Sequence, residues 1–286
     1  MMSADAFHLK DKVAIVTGST KGMGRAIVER FAADGARVVV SSRSADEAAA
    51  VAAELNDRYG KGNVVAVSRR CIIEDKADLE AVVKLAIDSF GKVTTLVCCA
   101  SALPWLGPSR EMPDEAVDFQ FLSVFKSKFW LSNMCIPSMI ESGGGSIIYI
   151  SSGSTHEATS ERSVYSCMRA AELQLMKNIA AEFGAQNIRI NAIWPGLIRT
   201  FSSEPLFRNA ASARMAADRA PMRRNGEPEE IAQATAFLAS DASSFTTGAI
   251  IPVDGGRSIH ATQSMLTPVY GAGLSEQAPH EAAKGS

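Results

Sequence analysis

The 286-residue sequence lacks a marked excess of charge, a basic stripe and a long apolar run. Its 29 lysines and arginines nearly balance its 31 acidic residues, which argues against nucleic acid as the main partner. No apolar run reaches the roughly 20 residues that span a bilayer, and residues 1–12 lack the apolar core of a secretory signal. We therefore predict a cytoplasmic protein with no membrane partner and no nucleic-acid partner.

Cysteine is scarce and shows neither disulfide nor metal-ligand spacing. Cys98 and Cys99 are neighbours, whereas Cys71, Cys135 and Cys167 are scattered, and no CxxC or Cys/His pattern occurs. We expect reduced thiols that are buried as small apolar side chains, and no structural zinc. Asp and Glu are scattered as well, so the sequence predicts no metal site.

Short β-branched runs alternate with amphipathic stretches along the chain. Because continuously apolar strands separated by helices are typical of a parallel sheet covered on both faces, we predict one doubly wound α/β domain with about seven strands. The predicted strands are 12–18, 37–42, 63–68, 94–100, 146–152, 188–196 and 249–256. The predicted helices are 23–35, 44–59, 75–90, 114–139, a helix that carries Tyr165 and extends to about residue 183, and 228–240.

Two segments fall outside this alternation. Residues 201–222 follow the carboxyl end of a strand, where open α/β sheets bind ligands, so we predict a substrate lid there. Residues 258–286 have weak periodicity and a mixture of Ser, Ala, Pro and Gly. The predicted domain is therefore 1–257, followed by a tail that is either partly disordered or packed on a partner subunit.

The motif TGSTKGMG at 17–24 leaves the first strand and opens the first helix. Gly18 permits a tight turn, Gly22 lets the backbone approach a pyrophosphate, and Gly24 lets the helix pack closely. The helix N-terminus then offers free N–H groups and the positive end of its dipole. The motif predicts a Rossmann-type dinucleotide site.

The end of the second strand indicates which dinucleotide binds. An NAD site usually has an acid there, which holds the ribose 2′-hydroxyl and repels a 2′-phosphate. Here Ser41 and Ser42 are neutral and Arg43 is cationic. Lys21 lies in the glycine loop, where we expect it to face the same phosphate. The pattern favours NADP(H) over NAD(H).

The chain resembles the classical short-chain dehydrogenase/reductase family over about residues 10–257. Ser152 ends a strand and precedes Tyr165 by the family's 13 positions. The other matching features are Thr17-Gly18-x-x-x-Gly22-x-Gly24, the Ser151-Ser152 pair, NAIWPG (191–196) with Thr200, and VDGG (253–256).

The resemblance implies that Tyr165 exchanges a proton with a substrate oxygen while the nicotinamide exchanges a hydride with the carbon. Ser152 takes the role of hydrogen-bonding that oxygen. Arg169 takes the position of the family's lysine, which tunes the phenol and holds the nicotinamide ribose. The resemblance also implies a homodimer or homotetramer. The predicted cofactor contacts are Gly18, Ser19, Lys21, Gly22, Met23, Gly24, Ser42, Arg43, Ala100, Pro195, Gly196, Ile198 and Thr200.

Four positions depart from the family pattern. Arg169 replaces lysine, Phe125 stands where the family's relay asparagine is expected, CCAS (98–101) replaces Asn-Asn-Ala-Gly, and Ile72 replaces an adenine-contacting aspartate. Arginine stays charged and can still favour a tyrosinate. Phe125 cannot carry a proton, and losing one assisted proton transfer costs on the order of 10²-fold in rate.

Two other functions remain open. Ser-x12-Tyr-x3-Arg also resembles the halohydrin dehalogenases, in which such a triad expels halide without a nicotinamide. Those enzymes replace the later glycines of the loop, whereas this chain keeps Gly22, Gly24, Lys21 and Arg43. The second alternative is a nucleotide-binding homologue with little catalysis.

A few further side chains are predicted to flank the cleft. Leu103, Pro104, Trp105 and Trp194 together indicate an apolar or aromatic substrate. His156 follows Ser152 in a predicted loop, either solvated or as a second proton donor. Lys126 and Lys128 are expected to be exposed or at a subunit contact.

Overall fold

The computed structural model describes residues 8–67, 70–101, 105–155 and 160–259. These residues form one seven-stranded sheet in which every pairing is parallel, with the order β3-β2-β1-β4-β5-β6-β7. The strand order reverses between β1 and β4, which places the ligand crevice of a doubly wound sheet there. The strands are β1 (Val13–Val16), β2 (Arg37–Val40), β3 (Val64–Ala66), β4 (Thr95–Cys98), β5 (Gly145–Ile150), β6 (Ile188–Pro195) and β7 (Ile250–Val253).

Helices cover both faces of the sheet. Nine α-helices are formed by the described residues: α1 (Gly22–Ala33), α2 (Ala45–Tyr59), α3 (Lys76–Phe90), α4 (Asp114–Gln120), α5 (Ser127–Glu141), α6 (Ser163–Phe183), α7 (Glu204–Phe207), α8 (Ala210–Asp218) and α9 (Pro228–Ala239). Local chemistry fixes several helix ends. Ser44 Oγ accepts a hydrogen bond from Glu47 N at the start of α2, Asp75 Oδ1 accepts one from Ala77 N at the start of α3, and left-handed Gly91 ends α3.

The seven predicted strands and the doubly wound fold are confirmed. Each strand ends one to three residues earlier than its apolar run, as β1 does at Val16 rather than at Gly18. The reason is that the last residues of each run leave the sheet to form the loops at its carboxyl edge. The predicted lid, 201–222, contains a 3-10 turn over Phe201–Ser203 followed by α7 and α8.

The long helical stretch predicted over 114–139 is present, but it is not one regular α-helix. The structure divides it into α4, a π-helical turn over Phe121–Lys126, and α5, which contains Pro137. The turn is held by side chains that bond backwards along the helix, since Ser123 Oγ donates to Phe119 O at 2.7 Å and Ser127 Oγ to Ser123 O at 2.8 Å. Amphipathic periodicity does not reveal one extra residue in a turn.

The expectation that all cysteines are buried is also wrong. Cys71, Cys98 and Cys135 are buried, whereas Cys99 is half-buried and Cys167 is exposed. Cys167 precedes buried Arg169 by two positions on α6. Two helical steps turn a side chain by about 200°, so Cys167 lies on the opposite side of the helix from Arg169.

Candidate active site

The glycine loop closes tightly at the carboxyl end of β1. Gly18 has a φ of 65°, and a Cβ at this position would lie 3.0 Å from Ala100 Cβ on the neighbouring loop. A Cβ on Gly24 would overlap the carbonyl oxygen of Gly18. Helix α1 begins at Gly22 with no side-chain cap among the described residues. The loop therefore presents uncapped N–H groups of a helix N-terminus, which is an arrangement that binds phosphate.

Thr17 joins this loop to the loop after β4. Its Oγ1 accepts hydrogen bonds from the backbone N–H groups of Cys99 and Ala100, both at 3.0 Å, while its own N–H donates to Val97 O. The backbone of CCAS is thus fixed without the asparagine side chains. Ala100 and Gly18, both predicted cofactor contacts, lie against each other.

The segment after β2 approaches the glycine loop through polar side chains. Ser42 Oγ lies 3.2 Å from Thr20 Oγ1, and Arg43 is exposed. Lys21 Nζ pairs with Glu47 Oε1 at 2.6 Å, and this hydrogen bond is the main reason why the pKa of Glu47 is lowered. An acid therefore does stand beside the two cations, although none directly follows β2.

Sequence reasoning missed Glu47 for a physical reason. Ser44-x-x-Glu47 is a capping-box spacing, in which the glutamate is expected to serve its own helix. Ser44 does cap α2, but the Glu47 carboxylate instead pairs with Lys21. No spacing along the sequence could indicate a partner on another element.

Arg169, buried on α6, connects the catalytic candidates. Its Nη1 donates to Ile150 O at 3.1 Å and to Glu172 Oε1 at 3.1 Å, and its Nη2 donates to Ser101 Oγ at 2.8 Å. Its Cζ lies 5.0 Å from the centroid of the Tyr165 ring. The phenol ring thus lies beside a cation that is anchored to the ends of two strands.

The charge of Arg169 is maintained despite its burial. Burial alone lowers the pKa of Arg169, but the Glu172 carboxylate and Tyr165 more than offset it, and the net direction is upward. Its Nε has no hydrogen-bond partner among the described residues. A buried N–H of this kind is left for a ligand or water at the site.

Ser152 lies two residues after β5, and a 3-10 turn over residues 153–155 follows it. Its Oγ accepts a hydrogen bond from Ser154 N at 3.2 Å, and the turn packs against α6, the helix that carries Tyr165. Strand β5 and helix α6 therefore bring Ser152, Tyr165 and Arg169 to one region of the sheet edge. His156 lies outside the described residues.

Behind Arg169 lies a buried cluster of Lys128, Glu172 and Arg169, which we call the charge triad. Lys128 Nζ lies 2.5 Å from Glu172 Oε2, and the two side chains are only 1% and 0% exposed. Lys128 Nζ also donates to Val124 O at 3.0 Å. The expectation that Lys128 is exposed is therefore wrong, because a carboxylate on another helix compensates its charge. Lys126 is half-buried, with its Nζ 5.0 Å from the Trp130 ring centroid.

The loop after β6 lies against the glycine loop. Gly196 N donates to Val253 O at 2.9 Å, and a Cβ on Gly196 would lie 2.7 Å from Asp254 Cα. A Cβ on Gly22 would lie 3.3 Å from the Thr200 side chain. Ser203 Oγ donates to Ile198 O at 2.6 Å and fixes this turn. Thr200 therefore borders the glycine loop directly. The other predicted contacts of this segment, Pro195, Gly196 and Ile198, precede it in the chain.

The chain is similar to known proteins over most of its length. A family model described as enoyl-(acyl carrier protein) reductase matches residues 18–258. Dehydrogenase/reductase SDR family member 4 of Bos taurus is 36% identical over 254 residues, which are 88% of this chain and 89% of that one. 7α-Hydroxysteroid dehydrogenase of Escherichia coli K12 is 36% identical over 259 residues, which are 90% of this chain and 98% of that one. The chain belongs to the short-chain dehydrogenase/reductase family.

A solved structure supports the same assignment. The structure of a 7α-hydroxysteroid dehydrogenase complexed with NADH and 7-oxo glycochenodeoxycholic acid aligns with a TM-score of 0.83 and 34% identity. The alignment covers 90% of this chain and 98% of that one. Family membership supports an oxidoreductase of the carbonyl/alcohol type that uses a nicotinamide cofactor.

Phe125 and Ile72 are two of the residues that depart from the family pattern. Phe125 is half-buried and stacks on Phe121 with ring centroids 5.6 Å apart, whereas Val124 is fully buried beside the charge triad. Neither side chain can carry a proton. Ile72, which stands where the resemblance leads us to expect an adenine-contacting aspartate, donates its N–H to Asp78 Oδ2 at 2.8 Å.

Two concavities border the lid. One cavity of about 290 Å³ lies between the loop after β6, the lid and residues 252–257. A more open groove of about 560 Å³ runs from Gly22 past Thr200 to Phe201 and Phe207. Trp105 folds over Gly107 of its own loop, and Trp194 packs against the core. Leu103 and Pro104 lie outside the described residues.

In residues 8–67, 70–101, 105–155 and 160–259, no group of three His, Cys, Asp or Glu side chains is arranged to hold a metal ion. Within the same ranges, no helix combines the length and the apolar character needed to cross a bilayer.

Gly24→Ala is expected to weaken both folding and nucleotide binding, because the new methyl group overlaps the Gly18 carbonyl. Forced repacking of this kind costs about 1–3 kcal/mol in the free energy of unfolding. Urea denaturation and a nucleotide titration measure the two effects. Gly184→Ala is the matched control, since a Cβ there meets nothing within 4 Å. If Gly24→Ala and Gly184→Ala had the same free energy of unfolding and the same nucleotide affinity, the close packing described for the loop would be contradicted.

Proposed function

We propose that the protein is an NADP(H)-dependent oxidoreductase that interconverts a carbonyl and an alcohol on a small apolar or aromatic substrate. The observation that carries the proposal is the buried guanidinium of Arg169 beside the Tyr165 ring, at the sheet edge that also bears the glycine loop. A permanently charged group in this position favours the ionised phenol that an acid/base tyrosine needs. The active unit is residues 1–257, with 201–222 as its lid.

The residues present fit a nicotinamide dinucleotide. The glycine loop leaves no room for a Cβ at Gly24, and α1 offers an uncapped N-terminus for a pyrophosphate. The unpartnered Arg169 Nε supplies a donor for a ribose hydroxyl. Ser19 and Met23 are further cofactor contacts in the glycine loop. The nicotinamide end of the cofactor is held by Pro195, Gly196, Ile198 and Thr200. When bound, the nicotinamide supplies or accepts the hydride.

The chain's own residues manage the proton and the substrate oxygen. Tyr165 Oη gives its proton to the carbonyl oxygen during reduction and takes it back during oxidation. Ser152 Oγ hydrogen-bonds the same oxygen and orients it. Arg169 stabilises the tyrosinate that remains. Because Phe125 stands where the relay asparagine is expected, reprotonation of Tyr165 is slower, on the order of 10²-fold if no other group replaces the relay.

The proposal also includes the substrate class, the location and the assembly of the protein. The lid residues Phe201 and Phe207 line the open groove and favour an apolar or aromatic substrate. A relative that acts on hydroxysteroids fits this class. We place the protein in the cytoplasm as a homodimer or homotetramer that binds no nucleic acid and no membrane.

A paired assay tests this function against its alternatives. Carbonyl compounds of increasing apolar size are incubated with NADPH and followed at the nicotinamide absorbance, while vicinal haloalcohols without nucleotide are followed for halide release. We expect oxidation of NADPH and no halide. Halide release without nucleotide would support the dehalogenase alternative, which the Ser152-Tyr165-Arg169 set favours. Nucleotide binding with no turnover in either assay would support a binding protein with little catalysis.

Arg43→Ala is expected to weaken NADPH binding about tenfold or more and to leave NADH binding unchanged, because one charge-assisted bond to the 2′-phosphate is lost. Fluorescence titration of both nucleotides measures the ratio of their dissociation constants. Arg30→Ala is the matched control, since Arg30 lies in the last turn of α1, away from the loop. Equal weakening of both nucleotides would show that Arg43 does not read the 2′-phosphate.

A further inference from the structure

The charge triad places two cations and one anion behind the catalytic phenol. Glu172 contacts both Lys128, at 2.5 Å, and Arg169, at 3.1 Å. Without Lys128, Arg169 and Glu172 would form a neutral pair, and the field at Tyr165 would be largely cancelled. Lys128 restores one net positive charge. Buried ion pairs contribute little net stability, so this arrangement calls for a reason other than stability.

We propose that Lys128 is a distal cation that keeps the Tyr165 site positively charged, with Glu172 as the carboxylate that joins it to Arg169. Lys128 acts through Glu172 and Arg169, so it is a positioning residue. The π-helical turn fits this role, because it directs the Val124 carbonyl at Lys128 Nζ and gives the ammonium a second acceptor. The inference rests on the proposed function in that Tyr165 is the acid/base.

The other titratable groups near the triad do not change its charge at neutral pH. Cys98 and Cys99, at the end of β4, interact with Lys128, and burial raises the pKa of both thiols to about 12. Tyr149 on β5 has its ring centroid 5.8 Å from Lys128 Nζ, and burial raises the pKa of its phenol well above the usual range. These three groups are therefore uncharged at neutral pH.

The test is a pH titration of the full chain carrying tyrosine labelled with ¹³C at Cζ, followed by nuclear magnetic resonance. The chain has four tyrosines, so Tyr165→Phe assigns the Tyr165 signal. We expect Lys128→Met to raise the midpoint of this titration and Glu172→Gln to lower it, each by about one pH unit. This is the size expected for one unit charge on the order of 10 Å away in an effective dielectric of about 20. The double variant restores the net charge and returns the midpoint close to its original value.

Opposite shifts separate this role from a structural one, since damaged packing would move both variants in the same direction. Lys126→Met is the matched control, because Lys126 lies on the same helical stretch and faces Phe121 and Trp130. A Lys128→Met midpoint equal to that of Lys126→Met would overturn the proposal, and so would shifts of one sign. If Lys128→Met does not fold, Lys128→Gln takes its place, and the shift of its midpoint is compared with that of Glu172→Gln. Opposite shifts support the proposal, and shifts of one sign overturn it.

The titration needs neither nucleotide nor substrate, so the two proposals fail separately. If the chain binds no nicotinamide but shows opposite shifts, the distal-cation proposal stands and the proposed function fails. If the chain reduces carbonyls with NADPH but shows no shift, the proposed function stands and the distal-cation proposal fails.

Discussion

Tyr165→Phe is expected to lower turnover by about 10²–10⁴-fold while leaving the affinity for NADPH within about twofold, because the change removes one acid/base hydroxyl and nothing else. The phenylalanine ring keeps its place over the Arg169 guanidinium, whose Cζ lies 5.0 Å from the ring centroid. Steady-state kinetics with a substrate found in the carbonyl screen measure the first effect. A nucleotide titration of the same preparation measures the second.

Tyr59→Phe is the matched control for this variant. It removes the same atom from a half-buried tyrosine at the end of α2, where the hydroxyl lies 3.4 Å from Glu29 Oε1. Turnover should be unchanged. Turnover of Tyr165→Phe within about threefold of the unaltered chain would contradict the acid/base assignment, because general acid–base groups contribute far more than that.

Glu172→Leu is expected to lower the free energy of unfolding by about 3–5 kcal/mol, because it leaves the buried cations Lys128 and Arg169 without their carboxylate. The loss comes from two unpaired buried charges rather than from a lost attraction, so leucine's apolar surface does not compensate it. Urea denaturation followed by circular dichroism measures the change.

Glu182→Leu is the control on the same helix, where the side chain is exposed. Its effect should stay within about 0.5 kcal/mol, the range of ordinary surface substitutions. A Glu172→Leu chain as stable as Glu182→Leu would mean that the charge triad is not formed as the structure describes it.

The fold was predictable from the sequence because its signals are local and repeated. Strands such as β1 and β5 are continuous apolar runs, and turn residues such as Gly91 mark where helices end. The loop glycines were predictable for the same reason, since Gly18 and Gly24 occur at a fixed spacing between a strand and a helix. The strand ends were misplaced, because the apolar runs continue into the loops.

The charge surroundings of the site were not predictable in this way. The partners of Lys128 and Lys21 are Glu172 and Glu47, which lie on other elements, and no periodicity joins residues so far apart in sequence. A lone lysine on an amphipathic helix is ordinarily exposed, so burial of Lys128 needed the tertiary structure to reveal it. The π-helical turn that serves Lys128 is likewise a result of packing and side-chain bonding rather than of sequence pattern.

The measurement that tests the account most directly is a titration of the purified protein with NADPH and with NADH, followed by energy transfer from tryptophan to the reduced nicotinamide. The chain has three tryptophans, and Trp194 lies near the end of β6, just before the loop that we propose holds the nicotinamide. The account predicts binding of both nucleotides, with NADPH bound at least about tenfold more tightly, as one charge-assisted contact to the 2′-phosphate requires. Binding of neither nucleotide would contradict it and would direct the next assay to halide release from vicinal haloalcohols.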